Sequence, residues 1–122
     1  VLVLKAIEEG RFQLTTRVRD VLPEFTGRPR EEATFYHLLT HTAGMPGVWS
    51  PQPGMYLDRL QELYEASIAS VHGATPPGER CDYSPLVNHV LMGIALVRTD
   101  PRGRNFQTLL AEDLFQPLAM HD

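Results

Sequence analysis

Ser84-Pro85 opens the segment that most constrains how this chain folds. Downstream of it, Val87, Val90, Leu91, Ile94 and Val97 recur at three- and four-residue steps, the spacing that gathers apolar side chains on one face of an α-helix. A serine at the N-cap accepts an orphan backbone N–H. A proline in the first helical position gives up only a donor that has no intrahelical partner there. Asp100-Pro101-Arg102-Gly103 then reads as the turn that ends this helix.

The rest of the chain carries the same period, punctuated by glycine and proline. Val1 to Glu9 reads as the end of a helix, with Gly10 placed to terminate it in the left-handed conformation. Phe12-Gln13-Leu14 alternates weakly, Asp20-Val21-Leu22-Pro23 reads as a short turn, and Arg28-Pro29-Arg30-Glu31-Glu32 as a polar loop. Thr34 is placed to N-cap a short helix over Phe35 to Thr40, stopped by Gly44 and Pro46. Gly47 to Gly54 forms a loop that holds Trp49. Leu57, Leu60, Tyr64, Ser67 or Ile68, and Val71 predict an amphipathic helix ended by Gly73, followed by the Pro76-Pro77-Gly78 loop. Asn105 caps a last helix with Phe106, Leu109, Leu110 and Leu114 inward, and Pro117 ends it. The expectation is a mainly α chain of four or five helices with long loops, no sheet and no repeat.

Length and charge narrow the function classes. The 122 residues suit one domain with one core, and 43% apolar with 21% charged residues is ordinary globular composition. The net charge of -4 is spread along the chain, and no basic patch interleaves with aromatics, which argues against a nucleic-acid role. No apolar run approaches the roughly 20 residues of a membrane-spanning helix. Cys81 is the only cysteine, so no internal disulfide supports the fold. Val1 opens directly into a helical pattern and His121-Asp122 stop just after another, so the chain reads as an internal piece of a longer protein.

Four spaced segments carry a resemblance. They are Ile7-Glu8-Glu9-Gly10-Arg11-Phe12-Gln13-Leu14 with Val21-Leu22-Pro23-Glu24-Phe25; Leu38-Leu39-Thr40-His41-Thr42-Ala43-Gly44-Met45-Pro46; Pro77-Gly78-Glu79 followed by Tyr83-Ser84; and Pro117-Leu118-Ala119-Met120. In this order and spacing the chain resembles the serine β-lactamase-like superfamily, which includes class C β-lactamases, penicillin-binding proteins and related esterases and peptidases. The resemblance implies that residues 1–122 are a single partial domain. They would form the helical middle region of a β-lactamase/transpeptidase-like α+β fold, with the sheet largely outside this chain. It implies acyl transfer on a small-molecule ester, amide or peptide substrate, with no metal or organic cofactor. The family's Ser-x-x-Lys would precede Val1 and its Lys-Thr-Gly or His-x-Gly strand would follow Asp122. Neither is present, and Lys5 is the only lysine, so the chain alone is expected to be inactive.

By the same resemblance Tyr83 is the catalytic residue. A serine hydroxyl is a weak nucleophile until a base removes its proton, and a family tyrosine shares that task or protonates the leaving group. Where the β-lactamase pattern is Tyr-x-Asn, with the asparagine on the substrate amide, this chain has Pro85. Asn88, one turn further on, is the candidate replacement for that substrate contact. Trp49 has two readings, a cleft-lining aromatic on a Pro- and Gly-rich loop or a side chain plugging the core. His41 is read as a buried hydrogen-bonding residue rather than a base, and Thr40 and Thr42 as side chains that bond nearby backbone. Three rivals remain. His37 and His41 are four apart and, with His72, His89 or Asp82, would make a zinc site, although the glutamate of a zincin motif is missing. Cys81 with His89 would make a cysteine nucleophile and base. A non-catalytic helical binding module would lack serine and lysine about ten codons upstream, on the family's motif spacing.

Overall fold

The computed structural model describes residues 1–120; His121 and Asp122 lie outside the described residues. The helices are α1 (Leu2–Glu8), α2 (Val18–Val21), α3 (Phe35–Leu39), α4 (Leu60–Ser70), α5 (Pro85–Thr99) and α6 (Phe106–Leu110). A 3-10 turn at Arg30–Glu32 precedes α3, and a π-helical stretch, Ala111–Phe115, continues α6. The extended pairing among the described residues is a single antiparallel bridge, Arg17 to Thr34.

Helix α5 is the hub, and α1, α2, α3, α4 and α6 all pack on it. Its buried residues run continuously from Val90 to Leu96 after Val87 and Asn88, which is how a helix looks when neighbours surround it. The expected face of Val87, Val90, Leu91 and Ile94 is buried, while Val97 is only partly covered. Gly93 lets α4 come close: a Cβ there would stand 3.2 Å from the Leu60 methyls. Phe12 and Phe35 stack with ring centroids 4.1 Å apart and so tie the segment after α1 to α3.

Several local expectations hold and several are corrected. Gly10 follows α1 with φ +74. Asn105 Oδ1 accepts the Thr108 N–H at 2.9 Å. Thr34 accepts the His37 N–H, and His37 Nδ1 accepts the Thr34 N–H in return, a capping box with histidine in the usual Glu or Gln place. Residues 18–21 form a helical turn rather than the expected turn at 20–23. Leu57 lies outside α4 and is exposed, because that helix starts only at Leu60. Ser84 precedes α5 as expected but does not cap it; its hydroxyl donates to the Asp82 carbonyl at 3.1 Å.

The expected polar loop at 28–32 hides a buried arginine. Arg30 donates to the carbonyls of Thr26 (2.6 Å), Ile68 (2.9 Å) and Val71, and lies over the Phe25 ring. Ile68 and Val71 belong to the C-terminal end of α4, where carbonyls lack intrahelical donors and the helix dipole favours a cation. Burial pushes the Arg30 pKa down from its usual value. Arg11 does the same for α5, reaching the Leu96 carbonyl and the Thr99 hydroxyl.

Two ionic clusters fasten the remaining segments. Asp100, at the end of α5, holds Arg104, which also pairs with Glu112 and Asp113; Lys5 of α1 reaches Asp113 at 3.6 Å. Arg98 grips Glu24 with two bonds of 2.7 and 3.0 Å, and the Tyr64 hydroxyl donates to the same carboxylate at 2.9 Å. The Arg98 hydrogen bond holds the Glu24 carboxyl down at about 2. Burial, then the bond to Glu24, pushes the Tyr64 phenol up to about 12.

A carboxylate with a depressed folded pKa stabilises the fold above its unfolded value of 4.5, and that contribution fades as the pH falls toward about 2. Glu24 is half exposed, so solvent screening keeps the effect modest. Glu24→Gln should therefore destabilise the protein at pH 6 and have a smaller effect at pH 3, as read by urea unfolding at both values. An equal effect at both pH values would contradict this assignment.

Candidate functional site

The segment Thr40–Gly44 is a docking strip for the loop that carries Tyr83. Helix α3 ends at Thr40 and reverses through His41, whose φ of +56 lies in the left-handed region. The His41 N–H donates to the Leu38 carbonyl and the Thr42 N–H to the His37 carbonyl. These are the two bonds of a Schellman cap, in which the left-handed position is usually glycine. Past that reversal the strip turns its carbonyls outward. Gly44 accepts from the Ala74 N–H at 2.8 Å, Thr42 from Gly78 at 2.7 Å and His41 from Asp82 at 3.0 Å. The loop from α4 to α5 is thereby pinned at three points before it reaches Tyr83.

Gly44 is required twice over. Its φ is +75, and a Cβ would sit 2.0 Å from the Thr75 carbonyl oxygen. The threonines brace the strip from the side. The Thr40 hydroxyl donates to the Tyr36 carbonyl at 2.9 Å, which spends its proton, so the Thr42 hydroxyl donates to Thr40 Oγ1 at 2.8 Å. The expected backbone bonding thus holds for Thr40, while Thr42 bonds a side chain instead.

Tyr83 stands at the end of this loop, 70% exposed, with its ring against the His41 imidazole at a centroid distance of 4.7 Å. His41 Nδ1 accepts the Ser84 N–H at 3.3 Å and lies 3.2 Å from Asn88 Nδ2. A backbone N–H only donates, so Nδ1 carries a lone pair and the ring proton of the neutral imidazole resides on Nε2. The sequence points to His41 as a buried hydrogen-bonding residue; it does bond, but it is only partly buried, and this partner is not legible in the sequence. The Ser84 N–H belongs to a residue 43 positions away.

Asn88 faces inward, contrary to the expectation that it meets substrate. It is 0% exposed. Its Nδ2 donates to the Leu38 carbonyl at 3.0 Å and its second proton points at His41 Nδ1. Leu38 lies in the last turn of α3, and its carbonyl accepts this bond beside the one from the His41 N–H.

Trp49 lies partly buried on the loop after the strip. Its indole N–H donates to Ser70 Oγ on α4 at 3.0 Å. Together with Pro46, Val48, Pro85 and Leu86 it lines an open cleft of about 170 Å³ beside Ser84. The loop passes close to Tyr83 because residue 47 is glycine; a Cβ there would come within 3.1 Å of the Tyr83 carbonyl oxygen.

The rival pairings do not come together. His37 Nδ1 is turned to Thr34 and His41 Nδ1 to Ser84, and among the described residues no three metal-capable side chains converge. Burial pushes the His37 pKa down. Cys81 directs its thiol at the Thr40 carbonyl, while His89 donates from Nδ1 to the Pro85 carbonyl one turn back on α5.

The chain belongs to the Beta-lactamase family, whose pattern matches residues 1–122. It is 33% identical over 123 residues to Penicillin-binding protein 4 of Amycolatopsis lactamdurans, covering 98% of this chain and 31% of that protein. Its fold matches a penicillin-binding protein homolog from Caulobacter crescentus with a TM-score of 0.75 at 28% identity, over 97% of this chain and 31% of that one. It matches a penicillin binding protein from Bacillus halodurans with a TM-score of 0.78 at 25% identity, over 98% of this chain and 38% of that one. The chain therefore spans about a third of the length of these relatives, and what it holds of their fold is helical.

Gly44→Ala should detach the Tyr83 loop, because a β-carbon meets both the left-handed backbone penalty of about 1–2 kcal/mol and the Thr75 carbonyl. The expected result is faster amide exchange at Ala74, Gly78 and Asp82 together with a lower melting temperature. Unchanged exchange at all three amides would show that the strip does not hold the loop.

Proposed function

We propose that the full-length protein is a serine hydrolase that transfers acyl groups through an acyl-enzyme, and that Tyr83 is its proton-transfer residue. The observation that carries this reading is that the Tyr83 ring is exposed and yet held in place, on a loop pinned to the Thr40–Gly44 strip. A tyrosine fixed at a surface in this way is suited, as a phenolate favoured by a neighbouring lysine cation, to take the proton of a serine hydroxyl during acylation and then, as the phenol, to pass that proton to the departing oxygen or nitrogen. The serine and its lysine partner would come from sequence outside these residues.

Residues 1–122 would then be the helical region of an α+β domain whose sheet lies elsewhere in the protein. In support, α1, α4, α5 and α6 frame a groove of about 470 Å³ whose walls include Leu2, Leu57, Leu60, Met92, Phe106 and Leu114. An apolar surface of this kind marks a contact that a complete domain covers.

Tyr83→Phe in the full-length protein should lower kcat for ester hydrolysis by about 10²-fold or more; activity near that of the wild type would remove Tyr83 from the chemistry. A fluorophosphonate probe should label the full-length protein and leave residues 1–122 unlabelled.

Within the reactions open to this family, the cleft favours an ester with an apolar group over a substrate that presents an amide. Pro85 has no side-chain donor or acceptor, and its neighbours Pro46, Val48, Trp49 and Leu86 are mostly apolar. Trp49→Ala should narrow the preference for a p-nitrophenyl butyrate over the acetate by about tenfold in kcat/KM, the scale on which hydrophobic pockets discriminate added methylenes. An unaltered ratio would place the acyl chain elsewhere.

A further inference from the structure

We propose that His41 is the positioning residue for Tyr83 and acts through its unprotonated Nδ1; this rests on the reading of Tyr83 given above. His41 holds three consecutive residues at once. Its carbonyl accepts the Asp82 N–H at 3.0 Å, its Nδ1 accepts the Ser84 N–H at 3.3 Å, and its ring lies against the ring of Tyr83 between them. No other described residue contacts the Tyr83 corner through both its backbone and its side chain in this way.

The backbone conformation of this histidine draws attention to its side chain. It occupies the left-handed position of the Schellman cap that ends α3, with φ +56. Glycine fills that position without strain, whereas a residue with a β-carbon does not. A non-glycine residue held in a strained conformation points to work done by its side chain. Here the imidazole gains two donors, Ser84 N–H and Asn88 Nδ2. Asn88 is itself fixed by its bond to the Leu38 carbonyl in the last turn of the same helix. The chain of contacts runs from the end of α3, through Asn88 and His41, to the Tyr83–Ser84 corner and the start of α5. Asn88 is a member of this support and not a substrate contact.

Three substitutions separate the acceptor from the backbone. His41→Asn keeps an acceptor, Oδ1, close to the Nδ1 position, and asparagine tolerates the left-handed conformation. His41→Gly relieves the backbone strain and removes both acceptor and ring. His41→Gln places its polar atoms one bond further out, near Nε2, and leaves Ser84 without its acceptor. In the full-length protein, His41→Gly and His41→Gln should lower kcat for ester hydrolysis by about 10- to 100-fold, with KM nearly unchanged, as expected when a catalytic group is misplaced by a fraction of an ångström to an ångström. His41→Asn should keep most of the wild-type kcat. Thermal unfolding should show His41→Gly to be folded, so that the kinetic loss is not one of stability.

Two outcomes overturn the proposal. Wild-type kcat in the glycine variant would show that Tyr83 needs no such support. A loss in the asparagine variant as large as in the glycine variant would show that the Nδ1 acceptor is not what matters. Amide exchange at Ser84 is read in the same proteins and does not depend on catalysis. It should quicken in the glycine and glutamine variants and stay slow in the asparagine variant. If Tyr83→Phe proves active, that exchange pattern still decides whether His41 holds the corner, and unchanged exchange in all three variants rejects it.

Discussion

The reversal of the chain at His41 is the constraint on which the rest of the site depends. A short helix such as α3 ends with carbonyls that have no partners, and the Schellman cap satisfies two of them by forcing one residue into the left-handed region. That turn presents the carbonyls of His41, Thr42 and Gly44 to the loop between α4 and α5. A loop of this length would otherwise sample many conformations. Pinned at Ala74, Gly78 and Asp82, it delivers Tyr83 in one place, and Ser84 to the position just before α5. The end of one helix thus sets the beginning of another.

Arginine does the corresponding work at the ends of the longer helices. Arg30 covers the last carbonyls of α4, and Arg11 the Leu96 carbonyl and Thr99 hydroxyl near the end of α5. The guanidinium suits this task because its several donors lie in one plane and its charge complements the helix dipole. The Glu24–Arg98–Tyr64 and Asp100–Arg104–Asp113 clusters then tie the segment before α3 and the segment after α5 to the same hub. Buried arginines thus serve helix ends, where the backbone leaves groups unpaired, while the ionic clusters link side chains of separate segments.

The apolar groove framed by α1, α4, α5 and α6 sits beside this well-satisfied polar framework. Relatives about three times as long share the arrangement of these helices, with TM-scores of 0.75 and 0.78. Sequence identities of 25% and 28% with such agreement in fold mean that the geometry tolerates wide changes in side chains. In this chain Gly44 is fixed by its backbone, because its φ is +75 and a Cβ there would meet the Thr75 carbonyl oxygen.

Taken alone, the sequence determined the mainly helical character, most of the helix ends and the family. The information for these is local: a 3.6-residue apolar period over 84–99, Thr34 and Asn105 as caps, Gly10 as a stop, and short motifs in a fixed order. It also drew attention to Tyr83, Trp49 and the Thr40–Gly44 strip. Tertiary structure alone decided where the long side chains and the unpaired backbone groups found partners. Arg30 looked like loop polarity and is buried against carbonyls of residues 68 and 71. Asn88 looked like a substrate contact and serves the Leu38 carbonyl instead. Ser84 looked like a cap, but its N–H goes to His41. Each of these outcomes depends on a group 38 to 50 residues away in the chain, and no periodicity or local propensity encodes which distant carbonyl or ring nitrogen will be left in need of a donor.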